Sequence, residues 1–252
     1  MSNTWDKLKI LTTARVGLGC IGSSLPTSKV LEFQRAHASA RSAVWLNWNY
    51  QELERQLVRL GESPLLLQSN AANREQYLRF PNKGRTLNTD IVIPIKKLET
   101  DIAFIISDGL SALAIQNHFY QFWNVFFPLF KQSIPELTYK IFLVPFARVA
   151  ISDEIGELAK SKLSLIFLGE RPGLNSFDSM GIYMTFNPRK GNSDAHRNCI
   201  SNVRIPHGLN YQHASIKLIH LMNESIRLQI SGVNLKDDLI ITQIGTSTTS
   251  LK

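Results

Sequence analysis

The most familiar chemical pattern in the sequence is a set of three glycines near the N-terminus, Gly17, Gly19 and Gly22, spaced as G-x-G-x-x-G. In dinucleotide-binding folds such glycines lie between a strand and a helix, and an acidic residue about 20 positions later binds the ribose. Here residues 33–51 contain no Asp or Glu, and strands begin to alternate with helices only near residue 101. We interpret the segment as a glycine-rich loop. A stand-alone nucleotide-dependent oxidoreductase that uses Gly17–Gly22 is the alternative hypothesis.

Other catalytic patterns are weak in this sequence. It contains no G-x-S-x-G nucleophile elbow and no Walker loop. His196 and Cys199 have an H-x-x-C spacing, but two ligands do not make a structural zinc site. The remaining histidines are scattered, and His37, on an apolar helix face, is expected to be a hydrogen-bonded core residue. The sequence therefore predicts no catalytic residue and no metal ligand.

Three polar loops at the predicted ends of strands are better candidates, because open α/β sheets bind ligands there. The loop Ser107–Ala112 carries hydroxyls and a carboxylate, and its spacing fits a ligand site and a helix cap equally well. The loop Gly169–Gly173 places Glu170 and Arg171 between glycines at a strand exit, which favours a ligand over a structural ion pair. The segment Arg197–Asn202 is polar and reads as a loop with a thiol in the middle.

The elements that must position these loops follow from hydrophobic periodicity. Helices are predicted over 26–44, 50–60 and the first part of 73–84. Short apolar runs then predict strands at 101–107, 141–144, 147–151, 163–168 and 182–186, followed by a long amphipathic helix at 211–228. We predict an α/β fold: a Rossmann-like layered domain with a largely parallel sheet, preceded by a mostly helical N-terminal region. The expected boundaries are 1–85 for the helical region, 86–237 for the layered domain and 238–252 for a tail.

Composition excludes several classes of protein. The chain has 252 residues and a hydrophobic fraction of 44%, which is ordinary for a globular protein. Its two cysteines are too few for a disulfide framework. The N-terminus carries an acid and lacks an apolar core, and no run approaches the roughly 18 apolar residues of a membrane span. We therefore expect that the protein is neither secreted nor embedded in a membrane, and that it resides in a reducing compartment.

The net charge of +8 raises the possibility of a polyanionic partner. Residues 1–100 hold 14 basic and 8 acidic side chains, whereas residues 101–252 hold 14 and 12. No run of four Lys or Arg occurs. Nucleic-acid binding is thus the least favoured hypothesis, and a surface that meets a protein partner or aids solubility is preferred.

Short strings distributed over residues 11–236 carry a more specific signal through their joint order and spacing. They are Thr13–Val16, Ser24–Thr27, Phe33–Gln34, His37–Ala38, Tyr77–Leu78, Gly84–Arg85, Ser107–Ser111, Ala147–Val149, Asp153–Glu157, Gly169–Leu174, Asn187–Arg189, Cys199–Asn202 and Ser231–Asn234. Together they resemble the small subunit, or light chain, of ethanolamine ammonia-lyase.

The resemblance implies a subunit of an adenosylcobalamin-dependent enzyme that converts ethanolamine to acetaldehyde and ammonia by radical chemistry. The catalytic apparatus would lie on a large subunit, the partner in a hetero-oligomer, and the cofactor would be shared at the interface. The family's cobalamin contacts match Val149 in the A-R-V string, Glu170 in G-E-R-P-G and Cys199 in C-I-S-N. Asp108 and Ser111 are implied as neighbours of that site.

The same resemblance implies a location in the bacterial cytoplasm, with neither nucleic acid nor membrane as a partner. Family members associated with bacterial microcompartments can carry a longer N-terminal extension, whereas only about a dozen residues precede Thr13 here. This difference disfavours encapsulation. Cys20 also stands where an arginine is common in the family, so no anion-binding role is expected of the glycine loop.

Overall fold

A computed structural model describes residues 4–12, 14–88 and 98–239. The helices are α1 (Thr4–Leu11), α2 (Thr27–Trp45), α3 (Tyr50–Arg59), α4 (Arg74–Arg79), α5 (Tyr120–Ser133), α6 (Ile151–Leu158) and α7 (Tyr211–Leu228). The strands are β1 (Leu65–Leu66), β2 (Ile102–Ser107), β3 (Tyr139–Leu143), β4 (Leu163–Gly169), β5 (Met180–Phe186) and β6 (Arg197–Val203). A helical turn (Ala112–Ala114) and a π-helical segment (Ile115–Phe119) lead into α5, and 3₁₀ turns occur at Pro81–Arg85, Asp194–His196 and Gly232–Asn234.

The six strands form one mixed sheet in the order β1-β3-β2-β4-β5-β6. The first four strands in this order are parallel, whereas β5 pairs antiparallel to β4, and β6 pairs antiparallel to β5. The carboxyl ends of β2, β3 and β4 therefore lie at one edge of the sheet. The prediction of an α/β fold with a mostly parallel sheet is confirmed.

Both faces of the sheet are covered by helices, because the parallel strands carry apolar side chains on both faces. On one face, Phe104 of β2 packs with its ring edge-on to Trp123 and Phe130 of α5, at centroid distances of 5.3 Å. Helices α3 and α7 share this face. On the other face, Ala103 and Ile105 pack against α6. These two apolar layers fix the strand ends that carry the polar loops.

The N-terminal helix α2 forms as predicted but does not pack its apolar side into the core. Ala43 is its buried residue, whereas Val30 and Phe33 are 37% and 46% exposed. The expectation that His37 is a core residue is wrong: the side chain is exposed and stacks beside Phe33 with ring centroids 6.4 Å apart. Spacing alone predicted the helix but not what lies against it.

Three expectations about strands need correction. Residues 147–151 are not a strand, because the chain turns after β3 and enters α6 at Ile151. The segment Arg197–Asn202 is not a loop but most of the edge strand β6, in which Arg197 is buried and Cys199, Ser201 and Asn202 are exposed. The two-residue strand β1 was not predicted. The predicted tail 238–252 lies outside the described residues from position 240 onward.

Candidate functional site

The loop after β2 is built around a buried ion pair. Asp108 is fully buried and accepts hydrogen bonds from Arg74 Nη1 at 3.0 Å and from the Phe146 N–H at 2.7 Å. Arg74 also donates to the carbonyl oxygens of Gly109 and Leu110, at 2.6 and 2.9 Å. The two charges neutralise each other in the interior of the protein. Asp108 therefore holds the loops together and is not accessible to a ligand.

Ser111 is likewise a structural residue. Its hydroxyl accepts the Ala114 N–H at 3.3 Å, capping the turn that leads into α5, and donates to the Phe177 carbonyl at 2.9 Å. The loop passes so close to β4 that a Cβ added at Gly169 would lie 1.9 Å from the Ser111 carbonyl oxygen. Of the two interpretations left open for residues 107–112, the structure supports the helix cap.

Glu170 begins the loop that follows β4 and is held in place from β6. Its Oε1 accepts the Ser201 hydroxyl at 2.5 Å, and its Oε2 accepts the Asn202 N–H at 3.1 Å. The Glu170 N–H donates to the Ser179 carbonyl at 2.9 Å, which closes the base of the loop. A carboxylate has about four acceptor positions, so Glu170 keeps capacity for further donors.

Glu170 and Val149 line the same cavity at the carboxyl edge of the sheet. The cavity has a volume of about 250 Å³ and includes Leu110, Leu168 and the ring of Tyr77 in its wall. Val149 lies in the turn between β3 and α6 and packs against the apolar layer on the α6 face. The structure thus brings together two of the three predicted site residues.

Cys199 lies beside this cavity and is linked to it through Tyr183. Cys199 of β6 and Tyr183 of β5 are directly paired, and their side chains share a hydrogen bond. Burial of the sulfur raises the pKa of the Cys199 thiol, and the charge of Glu170 raises it further, while the bond from Tyr183 lowers it. The net shift is upward, so Cys199 is a neutral thiol near neutral pH.

Three residues of the cavity wall were missed by sequence reasoning: Tyr77, Arg148 and Tyr183. The Arg148 guanidinium lies over the Tyr77 ring, 4.2 Å from its centroid, and Nη2 donates to the Tyr77 carbonyl at 3.2 Å. Burial raises the pKa of the Tyr183 hydroxyl, which is therefore a neutral hydrogen-bonding group. Arg148 directly precedes Val149 and could have been found from that adjacency. Tyr183 could not, because its partner strand was read as a loop.

The remaining candidates do not form a site. Gly17, Gly19 and Gly22 all have positive φ angles, but the segment follows helix α1 and no described strand precedes it. In the described ranges no three His, Cys, Asp or Glu side chains converge as a metal-binding group. No helix among the described residues has both the length and the apolarity needed to cross a membrane.

The structure is a mixed α/β fold with a cavity at the carboxyl edge of its parallel strands, which is the edge where open α/β sheets generally bind ligands. A sequence model described as "Ethanolamine ammonia-lyase light chain (EutC)" matches residues 2–236. The chain belongs to the ethanolamine ammonia-lyase light chain family, and it is a subunit of a lyase. The oxidoreductase hypothesis is therefore not supported.

Individual relatives are similar over nearly the whole chain. The ethanolamine ammonia-lyase small subunit of Pseudomonas putida (strain GB-1) is 44% identical over 244 residues, covering 94% of this chain and 88% of the relative. The small subunit of Pseudomonas aeruginosa (strain LESB58) is 46% identical with the same coverage. That of Pseudomonas syringae pv. tomato (strain DC3000) is 44% identical over 245 residues, covering 94% of this chain and 84% of the relative.

Proposed function

We propose that this chain is the non-catalytic small subunit of an adenosylcobalamin-dependent ethanolamine ammonia-lyase. It forms one wall of the cofactor site at the interface with the large subunit, which converts ethanolamine to acetaldehyde and ammonia. The observation that carries the proposal is the convergence of Val149 and Glu170 on one cavity, with Cys199 connected to it through Tyr183. These residues come from three separate parts of the sequence.

The size and chemistry of the cavity fit an edge of the cofactor. A volume of about 250 Å³ corresponds to about eight water molecules at roughly 30 Å³ each, far less than a whole cobalamin occupies but enough for one of its amide side arms. The wall combines an acceptor, Glu170, with apolar groups, and the buried Arg148 Nε has no hydrogen-bond partner within the described chain. A site that encloses only an edge needs a second protein to cover the rest.

Each residue then has a defined contribution. Glu170 accepts hydrogen bonds from amide N–H groups of the cofactor, and its bonds to Ser201 and Asn202 fix the direction of the carboxylate. Val149 covers an apolar part of the ring, and Cys199 packs closely as a small, weakly polar thiol. The bound cofactor supplies the radical chemistry, while this chain binds it, orients it and excludes water.

The surface of the N-terminal helices supports a protein partner. Many large apolar residues of this region are exposed, and we call them the N-terminal apolar surface: Trp5, Leu8, Ile10, Leu11, Ile21, Leu25, Val30, Leu31, Phe33, Trp45 and Leu46, of which Ile10 and Leu11 are 85% and 81% exposed. Apolar patches of this kind typically mark interaction sites. The Arg15 guanidinium lies 5.8 Å from the centre of the Phe33 ring, so a partner with an acidic rim is favoured. We assign this surface to contact with the large subunit.

The domain organisation and location follow the same proposal. Residues 86–237 would be the Rossmann-like, cobalamin-contacting domain, residues 1–85 the mostly helical region that meets the partner and adds β1 and α3 to the layers of that domain, and 238–252 a tail. We place the complex in the bacterial cytoplasm, in keeping with the bacterial origin of the relatives. Nucleic acid and membrane are not proposed as partners.

Reconstitution tests the proposed function. The purified chain, the large subunit from the same organism and their co-expressed complex are each supplied with adenosylcobalamin and ethanolamine, and acetaldehyde release is measured. We expect turnover from the complex alone. Turnover by the isolated chain, or full turnover by the large subunit without it, would refute the proposal.

A further inference from the structure

A second polar cluster lies beneath the loop that carries Glu170. His118 is only 5% exposed, and its two ring nitrogens are both engaged. Nδ1 lies 2.8 Å from the hydroxyl of Tyr211, the first residue of α7, and Nε2 lies 3.3 Å from Oδ2 of Asp178. Asp178 lies near the end of the β4–β5 loop, residues 170–179, which begins with Glu170.

The β4–β5 loop has no helix or strand of its own and depends on such contacts. Its base is closed by the bond from the Glu170 N–H to the Ser179 carbonyl, and its end is held by the bond from Ser111 to the Phe177 carbonyl. Asp178 adds the contact to His118. His118 itself lies in the π-helical segment before α5, a rare irregularity that often marks functional positions.

The hydrogen-bonding partners specify the tautomer of His118. The Asp178 carboxylate only accepts, so Nε2 carries the proton and donates to it, and in the neutral ring Nδ1 accepts from the Tyr211 hydroxyl. The Gln121 amide donates through Nε2 to the Asn117 carbonyl at 3.0 Å, which leaves its Oε1 facing Tyr211 at 3.4 Å. When the ring is protonated, Nδ1 becomes a donor and the Tyr211 hydroxyl is turned towards Gln121.

The charged and titratable groups around the ring are few. Asp178 approaches from the loop, Tyr211 from α7, and Arg204, in the segment after β6, lies 3.7 Å from Oδ1 of Asp178. Burial lowers the pKa of His118 and Arg204 lowers it further, while Asp178 raises it, and the net shift is downward. Because its pKa is lowered, His118 is mainly neutral at pH 7. Adding a proton is therefore more costly here than in water.

We propose that His118 and Asp178 form a pH-sensitive clamp that positions the β4–β5 loop, and through it Glu170, for cofactor binding. The contact itself would survive protonation as an ion pair, because Asp178 stabilises the charged ring. Low pH loosens the clamp through burial instead, since His118 is only 5% exposed and an opened loop lets water solvate the added charge. Both residues are positioning residues and contact no cofactor themselves. The cofactor part of this inference rests on the proposed function, whereas the effect on the loop does not.

Hydrogen exchange of the isolated chain tests the clamp without the cofactor. Amide exchange of the peptide that covers residues 170–179 is measured from pH 5 to 8 and corrected for the intrinsic pH dependence of exchange. We expect His118→Ala and Asp178→Asn to speed exchange in this peptide by about tenfold or more at pH 7.5, since the first removes the hydrogen bond and the second removes the charge that strengthens it. In the unmodified chain, protection of the same peptide should fall as the pH is lowered through the titration of His118.

A conservative variant separates positioning from simple packing. His118→Gln keeps an N–H donor for Asp178 but cannot titrate, so it should retain protection at pH 7.5 and lose its pH dependence. His207→Gln is the control, because that side chain is exposed in the same region and should behave like the unmodified chain. Unchanged exchange of residues 170–179 in His118→Ala and in Asp178→Asn would overturn the clamp. If His118→Ala unfolds the chain, the exchange of residues 170–179 in Asp178→Asn alone tests the clamp.

Cofactor binding gives the second measurement. The affinity of the assembled complex for adenosylcobalamin should fall about threefold to tenfold in Asp178→Asn, because the binding-competent loop is less populated, and stay unchanged in His207→Gln. Equal affinity of Asp178→Asn and the unmodified complex would overturn the role of the clamp in positioning Glu170. Failure of the unmodified complex to bind adenosylcobalamin would instead refute the proposed function. The exchange experiment would still test whether His118 and Asp178 hold the loop.

Discussion

Replacing Glu170 by alanine removes a carboxylate whose two oxygens are already oriented from β6. Each oxygen accepts one internal bond, from Ser201 at 2.5 Å and from the Asn202 N–H at 3.1 Å, and each keeps a further acceptor position. A hydrogen bond from a cofactor amide to a charged acceptor contributes about 1.5–3 kcal/mol. Since 1.4 kcal/mol corresponds to about tenfold in Kd, we expect Glu170→Ala to weaken adenosylcobalamin binding by about 10- to 150-fold.

The assay is equilibrium binding of adenosylcobalamin to the complex of this chain with the large subunit. Ser201→Ala removes the internal bond but leaves the carboxylate, so a loss much smaller than that of Glu170→Ala separates direct contact from tethering of the loop. Glu136→Ala is the matched control, an exposed carboxylate in the segment before β3 and outside the cavity wall. A Kd for Glu170→Ala within about twofold of the control would refute direct binding through Glu170.

Three further predictions concern stability. Arg74→Met leaves the fully buried Asp108 without its cation and should lower the free energy of unfolding by about 3–5 kcal/mol in urea titration. Gly169→Ala places a Cβ 1.9 Å from the backbone oxygen of Ser111, so it should lower the melting temperature markedly. Gly173→Ala is the control: its Cβ would come no closer than 3.1 Å, to a side-chain oxygen, and the melting temperature should change little. Because the pKa of His118 is lowered in the folded chain, the unfolded state binds more protons, and the free energy of unfolding should fall as the pH drops below about 6.5. His118→Gln should reduce this dependence of the unfolding free energy on pH.

Hydrophobic patterning predicted the interior of the fold because strand and helix periods are local properties of the sequence. The runs at 101–107 and 163–168 are the central strands β2 and β4, buried at every position. The edge strand β6 was read as a loop because only Arg197, Ile200 and Val203 are buried, and a polar edge strand resembles a loop. Residues 147–151 show the opposite error, since apolar residues in a partly buried turn resemble a strand.

The candidate site was predicted less completely because it depends on contacts between distant segments. Position after a strand predicted that Glu170 and Asp108 would lie at the same edge of the sheet, and they do. That position could not show that Arg74 neutralises Asp108 from 34 residues away, which turns one candidate into a structural residue. Tyr183 illustrates the same limit, because its role follows only from the pairing of β5 with β6.

Asp153 shows how a local signal can be correct and incomplete. Asp153 lies in the first turn of α6, where an acidic side chain is favoured by the helix dipole and is readable from sequence. It is also fully buried and forms an ion pair with Arg197 of β6, which connects the helix to the edge strand that carries Cys199. Helix propensity carries no information about this long-range partner.

The most direct test of the account is the structure of the reconstituted complex with adenosylcobalamin, determined by electron cryomicroscopy. The distance to be measured joins the cofactor to the side chains of Val149, Glu170 and Cys199. We expect the Glu170 carboxylate at hydrogen-bond distance, about 3 Å, from a cofactor amide, and Val149 and Cys199 within about 4 Å of the cofactor. A cofactor enclosed entirely by the large subunit, with these three side chains out of contact, would contradict the account.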